Sequence, residues 1–465
     1  MACPVGRPPQ VQNRPMEDPT RTPNLSEVEI DYGQEPRELI ERTDTILRAG
    51  RIALSTGLDS GRVMDVMRLV AQVLDCDAIT IQIAFPQLTI TVERGHIYRT
   101  KVAAAVTPGV NSDRACELWA FMKSVHDHMT PAEVNAVLDR IEKKPILYSH
   151  SLLPVAVAIA CCCYGILNNM GAYEAAGTFI AAVIGHRLRL FLGHRHVNHL
   201  ASVALVATVS GFLYLAFLML THGLPGVSMD RAVIGFIASV LYLVPGYPIV
   251  SGSLDLARLD FDSGVNRLAY AALVLLAAGI GIWIVSLFSP FDPSPVLRFV
   301  MPDWQILSIK GAASFLGVFG FSMLFNSSLR ICAASGGVAL VSNVLRLELG
   351  EYVMPAHEAA AVACFVVGLL TWVISRYTQW PAVVMAAPAT LVMIPGAAAY
   401  RALLYFNAND LPNMMKYGIS ATLTIIGIAA GLIAARMITD RRWSLSRDVP
   451  PTLGEMMKGR VSIQP

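Results

Sequence analysis

The sequence has few charged residues for its length, and this deficit is concentrated in one part of the chain. Asp, Glu, Lys and Arg make up 15% of the 465 residues, against about 25% in an average soluble protein. Apolar runs of about 20 residues, the length that crosses a bilayer, recur between Leu152 and Met437. The low charge therefore excludes an ordinary soluble protein and predicts an integral membrane protein.

Several motifs of enzymes and pumps are missing. The chain has no GxxxxGK[ST] phosphate loop, which argues against an ATP-driven pump and leaves an ion gradient or the substrate's own gradient as the energy source. Its eight cysteines include no CxxC pair with zinc-ligand spacing. We interpret the consecutive Cys161, Cys162 and Cys163 as small apolar helix residues. The net charge of +2 predicts no nucleic-acid partner. We expect neither an enzyme nor a metal or cofactor site.

The N-terminus lacks the apolar core of a signal peptide, since it begins MACPVGRPPQ. We therefore expect the transmembrane segments themselves to direct insertion. Residues 1–35 are rich in proline and polar residues, which predicts a disordered tail. A second tail is predicted at residues 439–465.

Residues 36–150 have ordinary polarity and predict a small soluble α+β domain. Apolar residues at helical spacing favour a helix from Pro36 to near Gly57 and another from Asp59 or Ser60. Alternating residues then predict a β-hairpin and a third strand, followed by two helices. The predicted elements are strands near residues 79–85, 88–92 and 98–105, and a last helix that opens with the capping box Thr130-Pro131-Ala132-Glu133.

The soluble part shows no catalytic pattern. We interpret His126 and His128 as surface residues, because their spacing puts them on different helix faces. Asp75 and Asp77 are predicted to be solvated turn residues. A regulatory or gating role is the prediction that remains.

The apolar part predicts about ten transmembrane helices in two halves of five, residues 151–289 and 306–438, joined by an external connector at residues 290–305. The predicted spans are 152–167, 172–192, 200–220, 231–250, 267–288, 306–325, 330–345, 356–375, 382–404 and 415–437. An end near Gly185 is the alternative for the second span, and we expect the seventh span to be short. Lysines and arginines in alternate loops predict two cytoplasmic termini and a bacterial plasma membrane protein. The sequence leaves a homo-oligomer open.

A Pro-Gly pair occurs at the corresponding place in each half. Pro245-Gly246 lies in the fourth span of the first half, and Pro395-Gly396 lies 150 residues later in the fourth span of the second half. Five spans per half make the second half enter the membrane from the other side, which predicts an inverted repeat. Paired interrupted helices indicate a transporter binding site. The alternative is a plain kink in each helix.

Polar residues near the two pairs are candidates for the transport path. Ionisable residues within a span are costly and point to function. If the segment is helical, Asp255, Arg258 and Asp262 share one face. Arg401 is a candidate partner for a substrate carboxylate, and Asp255 or Asp262 for an ammonium group or a proton. The alternatives are a salt-bridge cluster in an interfacial loop and an Arg401 that snorkels to the surface. The full candidate set is Pro245, Gly246, Pro248, Gly252, Asp255, Asp262, Arg267, Pro395, Gly396, Tyr400 and Arg401.

At these motifs the chain resembles the threonine/serine exporter family in a fused two-half form. The resemblance rests on PGYPIVSGSLDLARLDFDSGVNR, from Pro245 to Arg267, and on TLVMIPGAAAYRALLY, from Thr390 to Tyr405. It implies export of threonine and serine across the lipid bilayer, driven by protons. The sequence departs from the family pattern at residues 257–260, which bears on the substrate more than on the family. A dicarboxylate or small-peptide exporter and a non-transporting membrane sensor that uses its soluble domain stay open.

Overall fold

The computed structural model describes residues 36–85, 87–95, 97–104, 109–125, 128–221, 223, 229–289 and 299–440. The predicted tail at residues 1–35, residues 441–465 of the second tail and His126 lie outside the described residues, as does most of the predicted connector.

The N-terminal segment, residues 36–143, combines four helices with three strands. They are α1 (Arg37–Ser55), α2 (Ser60–Val73), β1 (Ala78–Ala84), β2 (Gln87–Arg94), β3 (Ile97–Ala104), α3 (Ser112–Ser124) and α4 (Pro131–Lys143). Helix α4 begins at the predicted capping box, in which the Thr130 hydroxyl accepts from the Glu133 amide and the Glu133 carboxylate accepts from the Thr130 amide.

The three strands form an antiparallel sheet in the order β1-β2-β3. The central strand buries Leu88, Ile90 and Val92 completely, as expected for alternating residues whose one face covers a core. The two turn aspartates hold the sheet's ends, because Asp77 accepts from the Gly95 amide at 2.6 Å and Asp75 lies 3.5 Å from Arg94.

The rest of the described chain is helical. Its helices are α5 (Leu152–Leu167), α6 (Ala172–His194), α7 (His199–Thr221), α8 (Met229–Ala238), α9 (Gly246–Ala257), α10 (Phe261–Ser286), α11 (Asp303–Leu324), α12 (Leu329–Tyr352), α13 (Ala356–Tyr377), α14 (Ala382–Leu391), α15 (Gly396–Asn407) and α16 (Leu411–Thr439). A single 3-10 turn, Leu241–Leu243, lies between α8 and α9.

This part is built from apolar helices of membrane-spanning length. Within the described residues, eight helical stretches are long and apolar enough to cross a bilayer, and the bent pair Arg231–Leu243 and Gly246–Ala257 makes up to nine. Helix α5 is apolar but shorter. Helix α6 ends at His194, close to the predicted end at residue 192, so the alternative end near Gly185 does not apply. The expectation of a short seventh span was wrong, because α12 extends to Tyr352. Small residues do not shorten a helix when neighbouring helices pack closely on it.

The N-terminal segment packs on one end of the helix bundle, which we call the near end. The Ser112 amide donates to the Phe325 carbonyl at 2.9 Å, and Lys123 donates to the Thr378 carbonyl at 3.3 Å. The opposite end, where α5 and α12 finish and α11 begins, is the far end. Helices α5 and α11 cross closely in the bundle, since a Cβ on Gly320 would lie 2.5 Å from the Ala156 carbonyl oxygen.

Candidate substrate path

Both predicted interruptions are present, and they share one backbone geometry. Pro245 has φ −81° and ψ 61°, and the Gly246 amide donates to the Val244 carbonyl at 2.9 Å. Pro395 has φ −80° and ψ 53°, and the Gly396 amide donates to the Ile394 carbonyl at 2.8 Å. Each is an inverse γ-turn, in which a three-residue hydrogen bond replaces the helical one. A proline-centred turn thus interrupts the helical hydrogen bonding at both places, and the helices on either side of the first turn are bent by 65°.

The correspondence extends beyond the two turns. Helices α9 and α15 each have 12 residues, and two residues after each helix ends there is a residue with positive φ, Leu259 at 65° and Asn409 at 56°. The next residues, Asp260 and Asp410, cap α10 and α16. Each side chain accepts a hydrogen bond from the backbone amide three residues later, that of Ser263 or Asn413. The same 150-residue offset holds from the turns to these caps.

The two turns lie against each other in the bundle core. A Cβ on Gly246 would meet Leu391 at 2.2 Å, and one on Gly396 would lie 3.7 Å from Ile237, in the helix before the first turn. The hydroxyl of Tyr164, on α5, accepts from the Ala397 amide at 3.2 Å. Tyr164 therefore supplies a hydrogen bond to an amide at the start of α15, where the interrupted helix leaves amides unpaired.

A second correspondence links α5–α6 with α11–α12, at an offset of 157 residues. Helices α6 and α12 begin at Ala172 and Leu329, and the loops before them contain Asn169 and Asn326, with φ of 69° and 56°. The offset pairs two arginines in these helices. Arg189 donates to the Tyr242 carbonyl at 3.1 Å, beside the first turn, and Arg346 donates to Asn343 at 2.8 Å.

A cavity of about 550 Å³ opens at the far end of the bundle. Its walls are the end of α5, the start of α6, the residues before α11 and the first turns of that helix, one face of α12, and the start of α13. The residues that line it are Ile166, Leu167, Asn169, Met170, Gly171, Ala172, Phe299, Met301, Ile306, Ile309, Lys310, Arg346, Leu347, Gly350, Glu351 and Ala356. The walls are mainly apolar with few polar groups, as is usual for small-molecule sites.

The charged residues of the cavity wall differ in how they are paired. Lys310 lies 2.9 Å from Glu351 and 2.7 Å from Glu348, so its charge is neutralised. Within the described residues, Arg346 has no carboxylate partner, and its one hydrogen bond uses Nε. Arg346 is therefore the cation of this wall that no carboxylate of the described residues pairs.

Asp255 is completely buried at the near end, where it meets the N-terminal segment. It accepts from the Ser60 amide at 2.9 Å and hydroxyl at 3.0 Å, and its Oδ2 lies 3.2 Å from Arg267 Nε. Arg267 also donates to the Leu58 carbonyl at 2.9 Å. Asp255 thus joins α9, α10 and the start of α2.

Asp59 extends this contact as a second buried carboxylate. Its Oδ1 lies 3.5 Å from Arg258 Nη1, and its Oδ2 lies 3.4 Å from Arg62 Nε. Burial alone would raise the pKa of Asp59, but the charges of Arg258, Arg62 and Arg436 outweigh burial and hold the pKa below its ordinary value. We call Asp59, Ser60, Arg62, Asp255, Arg258 and Arg267 the docking cluster.

The condition for a shared face of Asp255, Arg258 and Asp262, one continuous helix, is not met. Helix α9 ends at Ala257, the positive φ of Leu259 reverses the chain, and α10 starts at Phe261. Asp262 is consequently exposed, with Gln82 of the sheet 3.5 Å away. Asp255 and Arg258 instead bind neighbouring residues of α2, which helical periodicity within one segment does not reveal.

The other candidate residues occupy separate positions. Pro248 is half-buried in the first helical turn of α9. A Cβ on Gly252, also on α9, would lie 3.1 Å from the Arg267 Cβ. On α15, Tyr400 is buried with its ring 5.2 Å from that of Phe236. Arg401 is half-buried, 5.8 Å from the Tyr417 ring, and it does not line the cavity.

Three residues beside the interruptions or in the cavity wall, Tyr164, Arg189 and Arg346, were not among those predicted from the sequence. Arg346 was expected in an outer loop because the seventh span was predicted to stop at residue 345, but it lies within α12. The signal was available, since residues 186–189 and 343–346 both pair a polar residue with an arginine three positions later, 157 residues apart.

Comparison with models of known protein families shows the family to which the chain belongs. Two models of the threonine/serine exporter family, ThrE and ThrE_2, match residues 44–288 and 310–438. The chain is thus a membrane protein of the transporter class and belongs to the threonine/serine exporter family, with both halves fused in one polypeptide.

Its relatives carry different names. The chain is 28% identical over 234 residues to "Probable succinate transporter subunit YjjP" of Klebsiella aerogenes, covering 49% of this chain and 86% of the relative. The Escherichia coli protein of the same name is 26% identical over 245 residues, or 52% and 91%.

A fungal relative covers more of this chain. "Pheromone-regulated membrane protein 10" of Candida glabrata is 25% identical over 447 residues, covering 86% of this chain. The match spans 53% of that relative's length. The comparison with solved structures gives no significant match.

Proposed function

We propose that the protein is a secondary active exporter of small polar metabolites that carry a carboxylate, with threonine and serine as the first candidates. The observation that carries this proposal is the pair of interrupted helices, whose inverse γ-turns lie against each other in the bundle core. Interrupted helices in corresponding halves are the arrangement by which many secondary transporters form a substrate site at the membrane midplane.

The two offsets support an inverted-repeat architecture with ten spans. The offset of 150 residues relates α9 to α15, and the offset of 157 residues relates α6 to α12. In this proposal α5 is the first span and the bent pair α8–α9 is the fourth. The near end then faces the cytoplasm, in line with the expected cytoplasmic termini, and the far end faces outward.

Succinate is the second candidate substrate. Two bacterial relatives are named as succinate transporter subunits, and a dicarboxylate shares a carboxylate with threonine and serine. The guanidinium of Arg346 in the cavity wall, which has no carboxylate partner among the described residues, suits either substrate. We propose the proton-motive force as the energy source.

The docking cluster favours a gating role for the N-terminal segment. Asp255 is already bound to Ser60 and Arg267, so we propose that it attaches this segment to α9 and that it does not itself bind the substrate. Movement of α9 during transport would then be coupled to the N-terminal segment.

The proposal is tested by efflux from cells that express the protein. Cells loaded with labelled threonine, serine or succinate are compared with cells that carry the empty vector. We expect faster efflux of at least one of the three acids, abolished by a proton uncoupler. Equal efflux of all three acids with and without the protein would contradict the proposed function.

A further inference from the structure

The cavity at the far end combines a mainly apolar wall with Arg346, which no carboxylate of the described residues pairs. Lys310 is neutralised by Glu348 and Glu351, whereas Arg346 is half-buried and lacks a carboxylate partner among the residues that the structure describes. A guanidinium in such a place favours a negatively charged ligand, and its planar shape matches a carboxylate.

The Arg346 side chain is held in place by a residue one turn earlier on α12. Buried Asn343, one helical turn earlier, accepts from Arg346 Nε at 2.8 Å and donates to the Ser314 hydroxyl at 2.8 Å. This chain of hydrogen bonds fixes the guanidinium while leaving its two terminal nitrogens available. A preorganised donor binds a ligand with less loss of conformational entropy.

Residues of α5 link the cavity wall to the second interrupted helix. Leu167, in the cavity wall, follows Tyr164 by three residues on α5, and the Asn168 side chain donates to the Tyr164 carbonyl at 2.8 Å. The Tyr164 hydroxyl contacts the Ala397 amide at the start of α15. One helix therefore joins the cavity wall to the interruption.

We propose that this cavity is a binding site for the carboxylate of the transported substrate, and that Arg346 is the residue that binds it. The inference rests on the proposed function and names the site and the anchoring residue. Arg189, related to Arg346 by the 157-residue offset, is hydrogen-bonded to the Tyr242 carbonyl near the other end of the bundle. In this structure Arg346 thus faces the cavity, whereas Arg189 is bound to a backbone carbonyl.

The test is direct binding to purified full-length protein in detergent, with labelled L-threonine and succinate. L-Threoninamide and succinamide serve as competitors that lack the carboxylate. We expect Arg346→Gln to weaken binding of the acid about 10- to 100-fold, the usual effect of losing a charged hydrogen bond, and Arg346→Lys to restore part of it. The amides should compete poorly with wild-type protein.

Arg330→Gln is the matched control, because Arg330 is exposed at the near end of the same helix. It should leave binding unchanged. Ala172→Trp is an independent variant that fills the cavity from the α6 wall, and it should weaken binding even if Arg346→Gln fails to fold.

Binding of the acids with wild-type affinity by folded Arg346→Gln and Ala172→Trp variants would overturn the inference. So would a wild-type protein that binds neither acid. Efflux from cells is measured separately, so a protein that exports threonine but binds it without Arg346 would leave the proposed function standing.

Discussion

At the scale of single residues, Asp255 and Asp262 have opposite environments although only seven positions separate them. Asp255 is fully buried beside Arg267, whose side chain is 4% exposed. Asp262 is exposed on the first turn of α10. Removing one partner of a buried ion pair leaves an uncompensated charge, which is far more costly than losing an exposed carboxylate.

We predict that Asp255→Asn strongly destabilises the protein and loosens the N-terminal segment, because Arg267 is left without its counter-charge. The expected loss is about 3–5 kcal/mol. It is measured as a lower apparent melting temperature in detergent and as faster proteolysis between residues 36 and 143. Asp262→Asn, the matched control, should behave as wild type. Equal stability of the two variants would show that the docking cluster does not hold this segment.

The sequence identified Asp255 and Arg267 as important but not what they bind. Their partners Leu58 and Ser60 lie about 200 positions earlier in the chain, and one sequence contains no signal for a contact between two segments so far apart. Arg346 was missed for a local reason, because the span was ended at the first charged residue although the helix continues to Tyr352.

At the scale of elements, the two inverse γ-turns place glycines where a side chain does not fit. A Cβ on Gly246 would come within 2.2 Å of Leu391, which is 1% exposed and has little room to move. Gly279, on α10, has nothing within 4 Å of the same position. Substituting Gly246 therefore tests the contact between the interruptions, and substituting Gly279 measures the general effect of replacing a helical glycine.

Gly246→Ala is predicted to cost about 1–3 kcal/mol through overpacking and to slow transport. Gly279→Ala should be neutral or slightly stabilising. The double variant Gly246→Ala with Leu391→Ala restores space between the two turns and should recover part of the lost transport. Thermal unfolding and efflux are measured on the same variants. A Gly246→Ala protein as stable and active as wild type would rule out tight contact at this place.

The elements themselves were largely predictable. Residue periodicity identified α1, α2 and the hairpin, and the capping box located the start of α4, since these signals are local. The Pro-Gly pairs located both interruptions because proline and glycine act on their own backbone. Local signals did not predict that α9 stops at Ala257, where the non-glycine Leu259 takes a positive φ.

At the scale of the whole molecule, the described residues form an N-terminal segment docked on one end of a helix bundle that has a cavity at its other end. The apolar composition predicted the membrane part. It did not predict the cavity, because a cavity depends on how α5, α6, α11 and α12 pack together. In the proposed exporter, the two interrupted helices lie in the bundle core, between the docked N-terminal segment and the cavity.

We propose that this chain alone moves a small carboxylate-bearing substrate across a bilayer against its gradient. It is tested most directly with purified protein in liposomes, by following labelled threonine, serine and succinate after a proton gradient is imposed. We predict accumulation of at least one of them that collapses with a proton uncoupler and is greatly reduced in Arg346→Gln. Liposomes with folded protein that accumulate none of the three, with or without the gradient, would contradict the account.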